Sequence, residues 1–173
     1  MKTLKKREIP GPKSAELLEI SRQYEPPCMA DQVPVVWDHG ERVWVWDVDG
    51  NEYLDFTSGV LVTNLGHSHP AHAAAIQNQA GRLMNCYSFP TPERVTLSKR
   101  LTDLLPENVD QTFLLTTGAE ATEAALRIAK RHTGKHEILS FYGGFHGRTY
   151  GPMSVAGSFK TKRQFGPQLP GGI

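Results

Sequence analysis

The feature of this sequence that most constrains its fold lies between residues 112 and 142, where two strand-like runs flank a helical segment. Residues 112–116 have the length and apolar composition of a buried strand. Residues 119–132 are rich in alanine and favour a helix, and residues 137–142 form the second run. Strand, helix and strand in this order make a βαβ unit, whose strands lie parallel in one sheet. The sequence therefore predicts an α/β domain.

A small antiparallel meander is predicted ahead of this unit. Residues 35–37 and 42–47 are rich in β-branched and aromatic side chains, and residues 38–40 between them read as a turn. Residues 49–51 contain Asp-Gly, the strongest short-range signal for a hairpin, and residues 52–56 form the returning strand.

Three further helices are predicted from their end signals. One covers residues 14–24 with Ser14 as N-cap, and another covers residues 70–83. A third covers residues 91–105, with Thr91 as N-cap. The proline-rich remainder of the first 34 residues is expected to form an extended arm.

Composition excludes several classes of protein. Of the 173 residues, 19 are basic and 18 are acidic, a balance that argues against a nucleic-acid-binding protein. No apolar run reaches the length of about 18 residues that a membrane span needs. Two cysteines are too few for a disulfide scaffold, and the basic start is not followed by the apolar stretch of a secretory signal. We therefore expect a cytoplasmic protein without nucleic-acid or membrane partners.

The junction of the first predicted strand with its helix reads Thr116-Thr117-Gly118-Ala119-Glu120. Amides at a helix start are unpaired donors, and the helix dipole adds positive charge, so this junction can bind a phosphate or another anion. The Thr117 hydroxyl would add a donor. The alternative is a glycine needed only for the turn, with Thr116 or Thr117 as N-cap. The glycine spacing does not match a dinucleotide or nucleoside-triphosphate loop.

A second glycine-rich segment, residues 143–147 (GGFHG), follows the second predicted strand. Ligands of open α/β sheets bind beyond the carboxyl ends of the strands, where both segments would lie. Phe145 could stack on a flat ring there. A phosphorylated ring would suit the two segments together.

The run TTGAEATEAALRIAKRHTG, followed by ILSFYGGFHGRT, closely resembles the class III aminotransferases, which use pyridoxal 5'-phosphate (PLP). The segments WDVDGNEYLD and GHSHP also resemble segments of that family. The resemblance implies the N-terminal part of the PLP-dependent transferase fold type I. Residues 1–60 would be the arm and hairpin of a small α+β domain. Residues 61–173 would be the first part of a mostly parallel three-layer α/β/α domain.

The resemblance also implies a role for several residues. The amides of Gly118 and Ala119 match the pair that holds the PLP phosphate, next to Thr117. Many members have serine where this chain has Ala119. Phe145 matches the aromatic residue that stacks on the pyridine ring, and His146 is expected to support its loop.

Two residues outside these segments are predicted to contact the substrate. Val60 matches a stretch that lines the substrate pocket in relatives, and Tyr87 lies near a segment that approaches it. No catalytic residue is assigned, because none of the nine lysines matches the lysine that bonds to the cofactor. We therefore expect this chain alone to be inactive, and the apolar faces of helices 91–105 and 119–132 to be partly uncovered.

The parent reaction implied is transfer of an amino group from an amine or ω-amino acid to a 2-oxo acid, by a homodimer in the full-length protein. Decarboxylases and aminomutases share the scaffold. The alternatives left open are a non-catalytic module that binds a phosphate ligand or dimerises, and a different phosphate-ligand enzyme such as a sugar-phosphate isomerase.

Two other groups of side chains have simpler interpretations than a reactive site. No metal site is predicted, because the closely spaced histidines lack a full ligand set and are better explained as parts of a loop. The aspartates of the meander favour turns through hydrogen bonds to their own backbone. The residues concerned are His67, His69 and His72, and Asp47, Asp49 and Asp55.

Overall fold

The computed structural model describes residues 8–29, 33–158, 162–163 and 165–172. The chain divides into two compact units, Met1–Tyr87 and Ser88–Ile173. The division expected after residue 60 concerns the family's domains and stays a prediction.

In its described residues, the first unit contains four helical segments and three strands. In chain order they are α1 (Pro12–Tyr24), a 3-10 turn (Pro27–Met29), β1 (Trp37–Glu41), β2 (Trp44–Asp47), β3 (Glu52–Leu54), α2 (Ser58–Leu61) and α3 (Pro70–Ala80). The strands form the predicted antiparallel meander in the order β1-β2-β3.

Residues 38–40 do not form the predicted turn, because they belong to β1 itself. The register of β1 against β2 shifts between Trp37 and His39, as at a β-bulge. Asp38 therefore has no partner in this register, and the strand continues past it. The reversal follows at Arg42, whose φ is 55°. Gly40 faces His67 so closely that a Cβ atom there would lie 2.8 Å from the histidine Cβ, which explains the glycine without a turn.

The turn between β2 and β3 is the predicted one. Gly50 has a φ of 81°, which favours glycine, and Asp47 organises the turn. The Asp47 carboxylate accepts hydrogen bonds from the backbone of Asp49 and Asn51, from the Asn51 amide and from the Tyr53 hydroxyl.

Helix α1 begins two residues earlier than predicted, and its N-cap is Gly11 rather than Ser14. Ser14 lies inside the first turn and is buried. Its backbone N–H donates to the carboxylate of Asp49 at 2.9 Å. Because Asp49 is distant in the sequence, the residues next to the helix carry no signal of this hydrogen bond.

The part of the second unit that the structure describes contains three helices, which are α4 (Pro92–Asp103), α5 (Gly118–Thr133) and α6 (Tyr150–Val155). Thr91 caps α4 as predicted, since its hydroxyl accepts from the N–H of Arg94 at 3.3 Å. Helix α5 ends at Gly134 in the left-handed conformation, as its sequence indicates.

The two strands predicted around α5 were wrong for the described residues. Residues 112–116 are irregular, and Phe113 is 69% exposed. In residues 137–142 only Ile138 pairs, in an isolated parallel bridge with Gly172, and Tyr142 is fully exposed. A strand needs a neighbour for its backbone hydrogen bonds, and an apolar run alone does not supply one.

The core of the second unit lies around α6. Residues 151–156 are all buried. By contrast, the apolar faces of α4 and α5 are partly uncovered, as expected, with Leu97 46% and Ile128 59% exposed.

Candidate functional site

The candidate anion site is the first turn of α5. Thr117 is the N-cap, and its hydroxyl accepts from the N–H of Glu120 at 3.1 Å. The first backbone bond of the helix runs from Ala121 to Thr117. The N–H groups of Gly118 and Ala119 precede that bond, so the helix offers them no carbonyl. The two amides that the sequence assigns to a phosphate therefore lie together at the positive end of the helix dipole.

The side chain of Glu120 is turned back toward the residue before the cap. Its carboxylate accepts the N–H of Thr116 at 3.1 Å and the Thr116 hydroxyl. These hydrogen bonds lower the pKa of Glu120, so the group is ionised at neutral pH. This arrangement, in which an N-cap threonine and a glutamate three residues later each accept a backbone N–H, resembles a capping box. The negative charge is held at Thr116 and leaves the next amides available.

Gly118 is not needed for the turn itself. Its φ is not positive, and a Cβ atom placed on it would meet nothing within 4 Å. Neither backbone strain nor crowding inside the chain explains the glycine. Of the interpretations that the sequence allows, close approach of a ligand is the one that this open space favours.

The glycine-rich loop after residue 142 lies against this helix start. Gly147 has a φ of 136°, and a Cβ atom on it would lie 3.0 Å from the Cα of Ala119. The structure therefore brings the two predicted binding segments, residues 116–120 and 143–147, together within the second unit. Sequence spacing did not identify Gly147 as the contact, because a close backbone approach has no periodic signal.

The loop presents its two central side chains differently. Phe145 is 64% exposed, so its ring face is available, while His146 is half-buried. The His146 Nε2 would lie 3.2 Å from a Cβ atom on Gly144. Gly144 in turn pairs with Gly157, whose N–H donates to the Gly144 carbonyl at 3.0 Å. A histidine held inside the loop is the arrangement expected of a supporting residue.

Glu123 connects helix α5 to the buried core. Its carboxylate accepts the N–H of Gly151 at 3.1 Å, across 28 residues of sequence. Gly151 is buried, and a Cβ atom there would overlap the Glu123 carboxylate. This contact fixes the segment that follows the loop. It has no sequence signal, because a single glutamate on a helix has the pattern of a solvent-exposed residue.

Val60 and Tyr87, the predicted substrate residues, both belong to the first unit. Their side chains are 84% and 86% exposed. Both have left-handed backbone conformations, with φ values of 63° and 50°. Each side chain therefore lies on the surface of the first unit, at a residue whose backbone is left-handed.

The turn that carries Val60 is anchored by Asp55. The Asp55 carboxylate accepts from His67 Nε2 at 2.7 Å and from the N–H and hydroxyl of Thr57, each at 2.7 Å. It also accepts from the N–H of Ser58 at 3.0 Å. These bonds, the His67 bond foremost, hold the pKa of Asp55 well below its usual range. In the described ranges, no group of three or more His, Cys, Asp or Glu side chains is arranged to hold a metal ion.

Comparison with known proteins decides the family. A model of the aminotransferase class-III family matches residues 27–173. The chain belongs to this family. It is 40% identical over 161 residues to an acetylornithine aminotransferase from Methanothermobacter thermautotrophicus, covering 92% of this chain and 40% of that protein. The chain thus spans about two fifths of the length of such relatives.

Solved structures of class III aminotransferases share the fold. An ornithine aminotransferase from Toxoplasma gondii, with PLP at partial occupancy in its active site, matches with a TM-score of 0.83 and 31% identity, covering 92% of this chain and 39% of that one. An (S)-enantioselective omega-transaminase from Thermomicrobium roseum matches with the same score, identity and coverage. The fold is therefore that of the N-terminal part of fold type I, as predicted. None of the described helices is long and apolar enough to cross a membrane.

Proposed function

We propose that this chain supplies the phosphate- and ring-binding part of a PLP-dependent aminotransferase that moves an amino group from an amine or ω-amino acid to a 2-oxo acid. The approach of Gly147 to Ala119 carries the proposal, because it brings the loop that carries an exposed aromatic side chain, Phe145, against an open helix start. A phosphorylated aromatic ring needs both features. The T. gondii relative that contains PLP supports the same ligand.

The residues present fit this cofactor. The amides of Gly118 and Ala119 would hold the phosphate, and the space around Gly118 lets it approach the backbone. Phe145 would cover one face of the ring, with His146 supporting the loop from behind. When bound, PLP acts as an electron sink for the carbon that carries the amino group. This chain's residues would then bind and orient the cofactor. Proton transfer would be carried out by a lysine that is not part of the motifs resembling the class III aminotransferases.

Binding of PLP to the purified chain, followed by fluorescence quenching, tests the proposal. Phe145→Ala should weaken binding about three- to tenfold through lost stacking. Phe141→Ala is the matched control, since that ring is 85% exposed in the same unit and has no assigned role; its affinity should stay within about twofold. Equal affinities for the two variants would contradict the ring-binding role.

A gain-of-function variant tests the phosphate role separately. Ala119→Ser adds a hydroxyl donor beside the two amides and should tighten PLP binding about threefold to tenfold. Inorganic phosphate should compete with PLP. If phosphate binds as tightly as PLP and Phe145→Ala has no effect, the chain is better described as a module for phosphate ligands in general.

The complete activity, partners and location are also proposals. We expect no amino transfer by the 173 residues alone, and a homodimer of cytoplasmic location for the whole enzyme. Exposed apolar side chains in the first unit, including Phe56 at 88% and Met84 at 87%, support an association surface. Turnover of an amino donor by the chain alone would contradict the first expectation, and sedimentation of the whole enzyme as a monomer the second.

A further inference from the structure

Helix α2 of the first unit is a left-handed turn. Ser58, Gly59, Val60 and Leu61 have φ values of 51°, 58°, 63° and 67°. The N–H of Val62 donates to the Ser58 carbonyl at 2.8 Å, which closes the turn. In this conformation the Cβ atom of an L-residue crowds its own carbonyl oxygen, and a β-branched residue such as Val60 is disfavoured most. A run of such residues persists only where other contacts hold it.

Burial of apolar side chains does not hold this turn. Val60, Leu61 and Val62 are 84%, 75% and 77% exposed. A Cβ atom at Gly59 would lie 3.4 Å from the Val62 side chain, an ordinary contact. The stabilising contacts must therefore be polar ones at the ends of the segment.

Asp55 supplies the contacts at the start of the turn. It is fixed at the end of β3, where its N–H donates to the Val43 carbonyl at 2.9 Å. One carboxylate oxygen, Oδ1, accepts from Thr57 and Ser58, the residues that lead into the turn. The other oxygen, Oδ2, accepts from His67 Nε2.

His67 closes the segment from the other side. Its backbone exchanges two hydrogen bonds with Arg42, at 2.9 and 2.7 Å, which tie it to the connection between β1 and β2. Its side chain is 23% exposed and that of Asp55 is 12% exposed. The Asp38–His39 pair of the same sheet is equally short, at 2.8 Å, but its side chains are 58% and 61% exposed. Only the first of these two pairs spans the left-handed turn.

We infer that Asp55 and His67 are a positioning pair, which holds Ser58–Leu61 in the left-handed conformation and so fixes where the Val60 side chain is presented. This inference rests on the proposed function insofar as Val60 contacts the substrate. The pair then sets selectivity for the size of the amino donor's side chain without touching the donor.

Hydrogen exchange of the 173-residue chain tests the positioning. Asp55→Ala and His67→Leu should each speed exchange of the Val62 amide about tenfold, while the β2–β3 hairpin amides keep their protection. Asp38→Ala and His39→Leu are the matched controls and should change that rate less than about twofold. Unchanged protection of Val62 in both Asp55→Ala and His67→Leu would overturn the inference.

A rescue separates positioning from general stability. Val60→Gly removes the Cβ crowding, so adding it to Asp55→Ala should restore the protection of the Val62 amide, whose hydrogen bond to the Ser58 carbonyl closes the turn. If Asp55→Ala instead weakens the whole unit, Val60→Gly should not restore the turn. If both single variants also lose hairpin protection and Val60→Gly restores nothing, the turn is not a separately positioned element and the inference is wrong.

Kinetics of the holoenzyme separate this inference from the proposed function. Val60→Ala and His67→Leu should both change the KM for large amino donors about tenfold relative to small ones, with little change in kcat. If Val60→Ala leaves every KM unchanged while His67→Leu still opens the turn, the substrate role of Val60 fails and the positioning stands. If Val60→Ala alters KM and His67→Leu alters neither KM nor the turn, the positioning fails.

Discussion

The carboxylate of Asp49 accepts the backbone N–H of Ser14 at 2.9 Å, although the two residues are 35 positions apart. It also accepts the N–H of Lys13 at 2.8 Å. The first N–H groups of a helix have no partner within it, and a carboxylate there also meets the positive end of the dipole. The β2–β3 turn therefore caps helix α1, and the helix and the hairpin stabilise each other.

Asp49→Ala should fray the start of α1. The N–H groups of Lys13 and Ser14 lose their acceptor, so hydrogen exchange in the first turn should accelerate about tenfold. Asp38→Ala is the matched control, because that exposed aspartate of the same sheet bonds to its neighbour His39 and not to α1. Equal exchange in the two variants would show that the turn does not cap the helix.

The first unit should lose stability in acid through its aspartates. Burial raises the pKa of Asp47, but hydrogen bonds from Asn51 and Tyr53 outweigh it and lower the pKa. The pKa of Asp55 is also lowered. A depressed pKa contributes stability that is present above the unfolded value, about 3.9, and is lost as pH falls through the folded value.

Urea denaturation between pH 2 and pH 7, at steps of about one unit, checks this expectation. The midpoint should be flat above about pH 5 and should fall below it. Asp47→Asn should flatten the fall, whereas Asp38→Asn should leave it unchanged. A midpoint that rises in acid would contradict the sign of these pKa shifts.

The meander and the helices were predictable because their signals are local. Asp-Gly at residues 49–50 and Thr91 before Pro92 act within a few positions of the structure they specify. Ser14 was assigned wrongly because the true partner, Asp49, comes from a distant turn. The strand at residues 112–116 was assigned from its apolar composition, and the described residues offer it no strand to pair with.

The same distinction applies to the candidate site. The motif around Gly118 identified the helix start, but its contact with Gly147 depends on how the loop returns. The left-handed turn at Val60 has no sequence signal at all, since valine disfavours that conformation. Hydrogen bonds explain it, and the bond between Asp55 and His67 among them joins residues 12 positions apart.

Val60→Gly should stabilise the first unit. Glycine adopts the left-handed conformation without the Cβ penalty, a gain of about 1 kcal/mol, and Val60 gives up little packing because it is 84% exposed. Val60→Ala keeps the Cβ atom and is the control for removing the side chain. Denaturant titration should rank glycine above alanine. The reverse order would mean that the turn is not strained at this residue.

Thr117→Val should weaken helix α5 by about 1 kcal/mol, because the N–H of Glu120 loses its acceptor. Thr133→Val is the matched control at the other end of the helix, where the hydroxyl donates to the Ala129 carbonyl and accepts the N–H of Lys135, which lies beyond the helix. Thermal unfolding followed by circular dichroism compares the two. A loss at Thr133 as large as that at Thr117 would argue against the cap.

Gly147→Ala should separate the loop from the phosphate-binding turn. A Cβ atom at residue 147 would lie 3.0 Å from both the Cα and the Cβ of Ala119, and its φ of 136° disfavours alanine. Gly143→Ala is the matched control, since its φ of 78° is also positive but a Cβ atom there meets nothing within 4 Å. Both variants should lose about 1 kcal/mol to the backbone, and Gly147→Ala should lose about 1–3 kcal/mol more to crowding. Only Gly147→Ala should weaken PLP binding markedly, because it alone moves Phe145 away from the amides of α5. Equal PLP affinity in the two variants would show that the contact between Gly147 and Ala119 does not organise the binding site.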